Sequence, residues 1–115
     1  MVNKNSILSS IKKLLLIDEA DTSFDMDITM HINAAFFHLN QLGVGPVGGY
    51  SIDDKFDLWS DFLGSAINLE GVKTFVFLKV RLSFDPPSMG YLVKAIEDQI
   101  KELEWRLNVQ VENNE

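Results

Sequence analysis

The stretch 69–87, LEGVKTFVFLKVRLSFDPP, limits the fold of this chain more than any other. Turned at about 100° per residue, it puts Leu69, Val72, Val76 and Val80 on one apolar ridge, with Phe75, Leu78 and Leu82 on another nearly opposite. A helix apolar on both sides needs neighbours on both sides. A strand competes, because Thr74, Val76, Leu78, Val80 and Leu82 alternate with Lys73, Lys79 and Arg81 and are β-prone. Length and the lack of a partner strand favour a helix, Leu69–Phe84. Asp85, Pro86 and Pro87 end it, since proline restricts the residue before it and removes an amide donor.

The flanking segments supply the neighbours. Over residues 5–16, Ile7, Leu8, Ile11, Leu14 and Leu15 recur at helical spacing, with Asn5 or Ser6 as cap and Lys12 and Lys13 on the other side. An acidic break at 18–21 follows. Thr22-Ser23-Phe24-Asp25 fits a capping box for a second helix, whose positive end suits Asp25 and Asp27. That helix runs to Leu42, with Gly43 as a left-handed stop. Ile28, Ile32, Ala35, Phe36, Leu39 and Leu42 form its core stripe, and Met26, Met30 and Phe37 fall about 180° away. This second ridge calls for cover from another segment of the chain or from a neighbouring subunit.

A glycine-rich loop, 43–50, leads to Ile52, Phe56, Trp59 and Leu63, whose steps of four, three and four predict a short helix ended by Gly64. Asn68 can cap the central helix, and Ser88 a last helix reaching about Asn108. The seam of the last helix is Leu92, Val93, Ile96, Ile100, Leu103 and Leu107. Lys94 with Asp98, Glu97 with Lys101 and Glu102 with Arg106 stand four apart beside it. Tyr91, Asp98 and Trp105 lie opposite the seam. The expected fold is all-α: four main helices plus a short one, with the central helix Leu69–Phe84 packed between the second and fourth main helices. Residues 1–108 form one domain, and 109–115 an acidic flexible tail.

Composition narrows the function by exclusion. A chain of 115 residues, 46% hydrophobic, suffices for one core. It has no cysteine, hence no disulfide framework and no thiolate metal site. Its net charge of -7, from 17 acids against 10 bases, disfavours phosphate-driven nucleic-acid binding, and the basic island of Lys73, Lys79, Arg81 and Lys94 is too small for such a footprint. The longest uncharged apolar run falls far short of the roughly 20 residues of a membrane helix, and the first sixteen residues lack a signal-peptide cleavage site.

Several motifs imitate chemistry. Gly43 to Gly48 matches G-x-G-x-x-G, but a helix rather than a strand precedes it and no helix opens on it. His31 and His38 share a helical face without a third zinc ligand, and read as boundary histidines. Asp18, Glu19, Asp21, Asp25 and Asp27 lack the glycine and terminal glutamate of a calcium loop. The serines have no nucleophile-elbow context, and the carboxylates fall on solvated segments where nothing raises a pKa. No catalytic, cofactor or metal residue emerges, which leaves binding or assembly.

Lys79 to Pro87, K-x-x-L-x-F-D-P-P, followed by a helix closing on Glu102 to Asn108, E-L-E-W-R-L-N, resembles the small head-tail connector proteins of tailed bacteriophages. The likeness extends to the Leu/Lys-rich first helix, the acidic linker, the H-I-N of His31 to Asn33, and the run Gln41 to Pro46. It implies a non-enzymatic, all-helical virion protein without cofactors, present in the host bacterial cytoplasm during assembly. Such a protein binds beneath the portal after DNA packaging and forms a ring, commonly of twelve copies, that joins portal to stopper or tail. DNA passes through such a ring without specific binding, and no membrane is involved. Met30, Phe37, Tyr91 and Trp105 are the candidate interface residues, since aromatic anchors are favoured at interfaces. The alternative is a small helical protein-protein interaction or regulatory module of phage origin.

Overall fold

The computed structural model describes residues 5–63 and 69–113 and folds them as α1 (Ile7–Leu14), α2 (Asp25–Gln41), α3 (Trp59–Leu63), α4 (Leu69–Phe84) and α5 (Gly90–Asn113). No strand forms among the described residues, so the chain is all-α as expected. A lone antiparallel bridge joins Ser6 to Leu58. The expected caps at Gly64 and Asn68 lie outside the described residues.

Helix α4 is the organising element. It packs against both α2 and α5. Val72, Phe75, Val76 and Val80 are fully buried, and Leu78 nearly so. On the α2 side it meets the expected stripe of Ile28, Ile32, Ala35, Phe36 and Leu39, all buried, with Leu42 partly buried at its end. At about 25 cal/mol per Å² of apolar surface, this shared core is the main force holding the fold together.

Helix α1 closes the same core from the chain's start. The Ser6 hydroxyl caps it, accepting from the Ser9 amide at 3.3 Å and donating to the Lys55 carbonyl at 2.6 Å. The Ile7 amide donates to the Asp57 carbonyl at 3.1 Å, and the Trp59 amide to the Asn5 carbonyl at 2.8 Å. These bonds seat Trp59, whose buried indole donates to Ser10 Oγ at 2.9 Å and meets the Phe36 ring edge-on.

Lys12 is not on the solvent side of α1. Its side chain is buried, and the ammonium donates to the carbonyls of Glu19 (3.1 Å) and Asp21 (2.7 Å) while pairing with Asp25 at 2.9 Å. The acidic linker folds over α1, and this lysine neutralises it from within. Asp25 is thereby drawn to Lys12, and the expected capping box does not form: α2 starts after Phe24 with no side-chain cap.

The predicted helix from Ile52 to Leu63 is also shorter. Only Trp59–Leu63 is helical, because a chain of aspartate turns occupies 53–58, with Asp57 Oδ2 accepting from the amides of Asp53 and Asp54. Ile52 is buried through another route: the Asn33 side chain donates to its carbonyl at 3.0 Å and accepts from its amide at 2.7 Å. Phe56, expected on the core ridge, is 74% exposed.

Helix α5 runs beyond Asn108 to Asn113. Asn108 donates to the Leu42 carbonyl at 3.2 Å, and Val111 is partly buried against the core. Ile100 and Leu107 are the buried members of the expected seam, while Leu92 is 42% exposed. The amino-terminal turns of α5 therefore stand clear of the core.

The glycine loop is explained without a nucleotide. Gly43 has φ +82° and ends α2 in a Schellman motif, in which the Val44 amide donates to the Leu39 carbonyl and the Gly43 amide to the Asn40 carbonyl. Gly45 has φ +97°, and a Cβ there would sit 2.6 Å from the Phe62 ring.

Candidate interface surfaces

The outward ridge of α2 carries Met26, Met30 and Phe37, which are 78%, 65% and 65% exposed. No segment described in this chain covers it. It follows from the stripe opposite: with Ile28, Ile32 and Phe36 buried on α4, the residues about 180° away must face out. Met26 and Met30 border a groove of about 450 Å³, lined also by Leu8, Thr29 and Phe56 and rimmed by Asp53, Asp54 and Lys55. The Lys55 ammonium lies 5.4 Å from the Phe56 ring centre. Phe37 instead borders a smaller, more polar cleft of about 380 Å³, beside Asn40 and the Gly48-Gly49 turn.

Helix α5 presents the second surface. Tyr91 is 70% exposed and Trp105 67% exposed. They stand opposite Ile100 and Leu107, and neither the loop after Gly43 nor the end of the chain's last helix shields the indole. Exposed ion pairs flank them, Lys94 to Asp98 at 3.1 Å and Arg106 to Glu102 at 2.8 Å. Such surface pairs contribute roughly 0.3–0.5 kcal/mol each. All four sequence-derived candidates are thus exposed, on two helices rather than one patch.

Phe56 and Leu16 were not legible as surface residues. Phe56 lies among Asp53, Asp54, Lys55 and Asp57, and that charged company was the available signal. Leu16, 93% exposed with φ +64°, fills the left-handed position ending α1, where the Ile17 amide donates to the Lys12 carbonyl and the Leu16 amide to the Lys13 carbonyl.

The titratable groups are arranged for structure. His31 meets the Phe84 ring edge-on, and His38 meets Phe75 with its Nε2 3.7 Å from Glu104. The Ser23 hydroxyl and amide, by hydrogen bonding, hold the Asp21 carboxyl below its ordinary range, with the Lys12 charge adding to them. Burial, then the nearby Asp57 and Asp61 charges, raises the Tyr50 phenol. Among the described residues no His, Asp or Glu group is placed to hold a metal ion, and no helix is long and apolar enough to cross a membrane.

Large apolar side chains turned outward on α2 and α5 suit contact with other protein surfaces. Comparison with known families agrees: the profile of the phage connector protein family matches residues 7–114. The chain belongs to that family. No curated protein and no solved structure matches it. The matched span takes in α1 to α5, so the connector assignment covers both surfaces described above. A structural connector role within a phage particle follows from that membership.

Proposed function

We propose that this connector is a non-enzymatic virion protein that forms a ring joining the portal to the stopper or tail once DNA is packaged. The observation carrying this reading is the outward placement of Met30, Phe37, Tyr91 and Trp105 on two separate helices that both pack on α4. A ring subunit needs two different contact faces, one for each neighbour, and a further edge for the partners above and below. Large aromatic and methionine side chains at high exposure are the residues such contacts favour. The acidic net charge of -7 supports passage of DNA through a ring without a grip on it.

Electron microscopy of the protein mixed with the portal of its own phage tests the proposal. A ring of this chain stacked on the portal, twelve copies by expectation, is the result it requires. Failure to bind that portal, at micromolar concentrations of both, would leave the interaction-module reading in its place.

A further inference from the structure

We propose that the groove bordered by Met26, Met30 and Phe56 receives an amphipathic helix of a different protein, one whose apolar face is flanked by lysine or arginine. This deepens the connector reading, on which it rests only for the expectation that such a partner belongs to the same particle.

The walls set the shape of the occupant. Asp25, Met26, Thr29 and Met30 come from one face of α2, Phe56 from the turn after Ile52, and the nearly buried Leu8 from α1. Met26, Met30 and Phe56 are largely exposed in the monomer, so an occupant removes apolar surface from water that the fold itself leaves uncovered. The volume of about 450 Å³ suits a few inserted side chains. Met26 and Met30 stand one helical turn apart, about 6 Å, the interval at which a helix presents its i and i+4 anchors. Methionine is unbranched and polarizable, so a groove lined by it accepts apolar anchors of varied shape.

Charge selects the flanks of that helix. The segments 21–30 and 53–57, which supply most of the lining, carry Asp21, Asp25, Asp27, Asp53, Asp54 and Asp57 against one lysine, Lys55. The buried Lys12 pairs with Asp25, while Asp53 and Asp54 remain exposed. Their turn is already ordered: Asp54 Oδ1 accepts from the Phe56 amide at 2.8 Å, and Asp57 Oδ2 from the amides of Asp53 and Asp54 at 2.7 and 3.2 Å. Little ordering cost is left for binding there. Basic flanks are attracted to such a rim, and acidic flanks are turned away. The same criterion disfavours a second copy of this chain. Helix α5, which bears Tyr91 and Trp105, has more acids than bases, and the Leu/Lys-rich α1 is committed to the core through Ile7, Leu8 and Ile11.

The test uses a synthetic peptide of about 14 residues with leucine on one helical face and lysine on the other. Beside it stand a peptide with glutamate in place of lysine and one with the leucines and lysines in scrambled order. Each is titrated into the full chain by calorimetry, and its position is mapped by backbone amide chemical shifts. The amphipathic lysine peptide is expected to bind, with shifts concentrated at residues 26–30 and 53–56, and the glutamate peptide is expected not to. Met30→Ser with Phe56→Ser should weaken the lysine peptide by about tenfold or more, whereas Tyr91→Ser with Trp105→Ser should leave it unchanged. Equal binding of the scrambled or the glutamate peptide, shifts centred away from the groove, or no binding at all would overturn the proposal. Mapping on the natural chain decides the matter even where a double variant fails to fold. If the natural chain stacks on its portal yet takes no such helix, the groove assignment fails and the connector reading stands. If it takes the helix in the groove but does not bind the portal, the connector reading fails and the groove assignment stands.

Discussion

At the residue scale, Lys12 shows how much one buried charge can organise. Its ammonium holds two carbonyls of the acidic linker and the Asp25 carboxylate, whose Oδ1 lies 2.9 Å away in an ion pair and accepts no hydrogen bond among the described residues. Removing one member of such a pair strands the other, so Lys12→Ala should lower stability by about 3 kcal/mol, with the partial exposure of Asp25 keeping the loss below the upper range for buried pairs. Urea denaturation followed by circular dichroism measures it, and a loss within about 0.5 kcal/mol would mean the linker is held by something else. Leu16 gives the opposite sign. A left-handed backbone disfavours an L side chain by roughly 1–2 kcal/mol, and at 93% exposure this leucine recovers nothing from burial in the monomer. Leu16→Gly should therefore raise the unfolding midpoint, by about 1 kcal/mol less the added chain entropy of glycine. A drop instead would assign the leucine a packing role in the isolated subunit.

At the element scale, periodicity revealed most of the fold, and the misses share one cause. The α2 stripe from Ile28 to Leu39 and the two-sided burial of α4 follow from the 3.6-residue repeat, which tertiary packing had no reason to override. Gly43 announced its own left-handed cap, whereas Leu16 occupies the equivalent position at the end of α1 with a residue type that signals nothing of the kind. Lys12, the failed capping box and the aspartate turns at 53–58 all depend on where the acidic segments fold back, and those long-range contacts leave no local period. The same holds for the end of α5, where polar residues after Asn108 read as tail although Val111 packs near Gly43, 3.3 Å from where its Cβ would be. Truncation after Asn108 should thus cost about 1–2 kcal/mol, the burial of one valine, and show in a thermal melt. The exposure of Met30, Phe37, Tyr91 and Trp105 was legible for the same reason as the core: they are the far side of each stripe. Trp105→Ala should change stability by no more than about 0.5 kcal/mol, as an exposed substitution does, while weakening ring formation or portal binding. Unfolding of this variant would return Trp105 to the core.

At the scale of the whole molecule, charge sets both the pH range and the relation to DNA. Asp21 has its folded pKa depressed below its ordinary 3.8, so its contribution is complete above that value and is lost as pH falls through the folded pKa. Tyr50 has its folded pKa raised above its ordinary 10.0, so burial favours the neutral phenol and stability declines as pH rises from that value toward the folded pKa. As far as these two groups govern it, the melting temperature should be flat through neutrality and fall at both extremes. The acid excess that brackets this range also bears on the particle. In the proposed ring, subunits each at -7 would surround passing DNA with like charge, so counterion release, the main source of nonspecific affinity, would have little to act on. Fluorescence anisotropy with a labelled duplex should show no binding at physiological salt and no steep gain as salt is lowered. Binding with a salt slope of several phosphate contacts would require a concentrated basic surface, and the residues able to make one, Lys73, Lys79, Arg81 and Lys94, are few. Lys73 and Lys94 already stand within 4 Å of Glu70 and Asp98, and Arg81 donates to the Asp85 carbonyl at 2.8 Å. Freeing these cations would first mean breaking contacts that the fold makes, and the remaining field would still repel the phosphates.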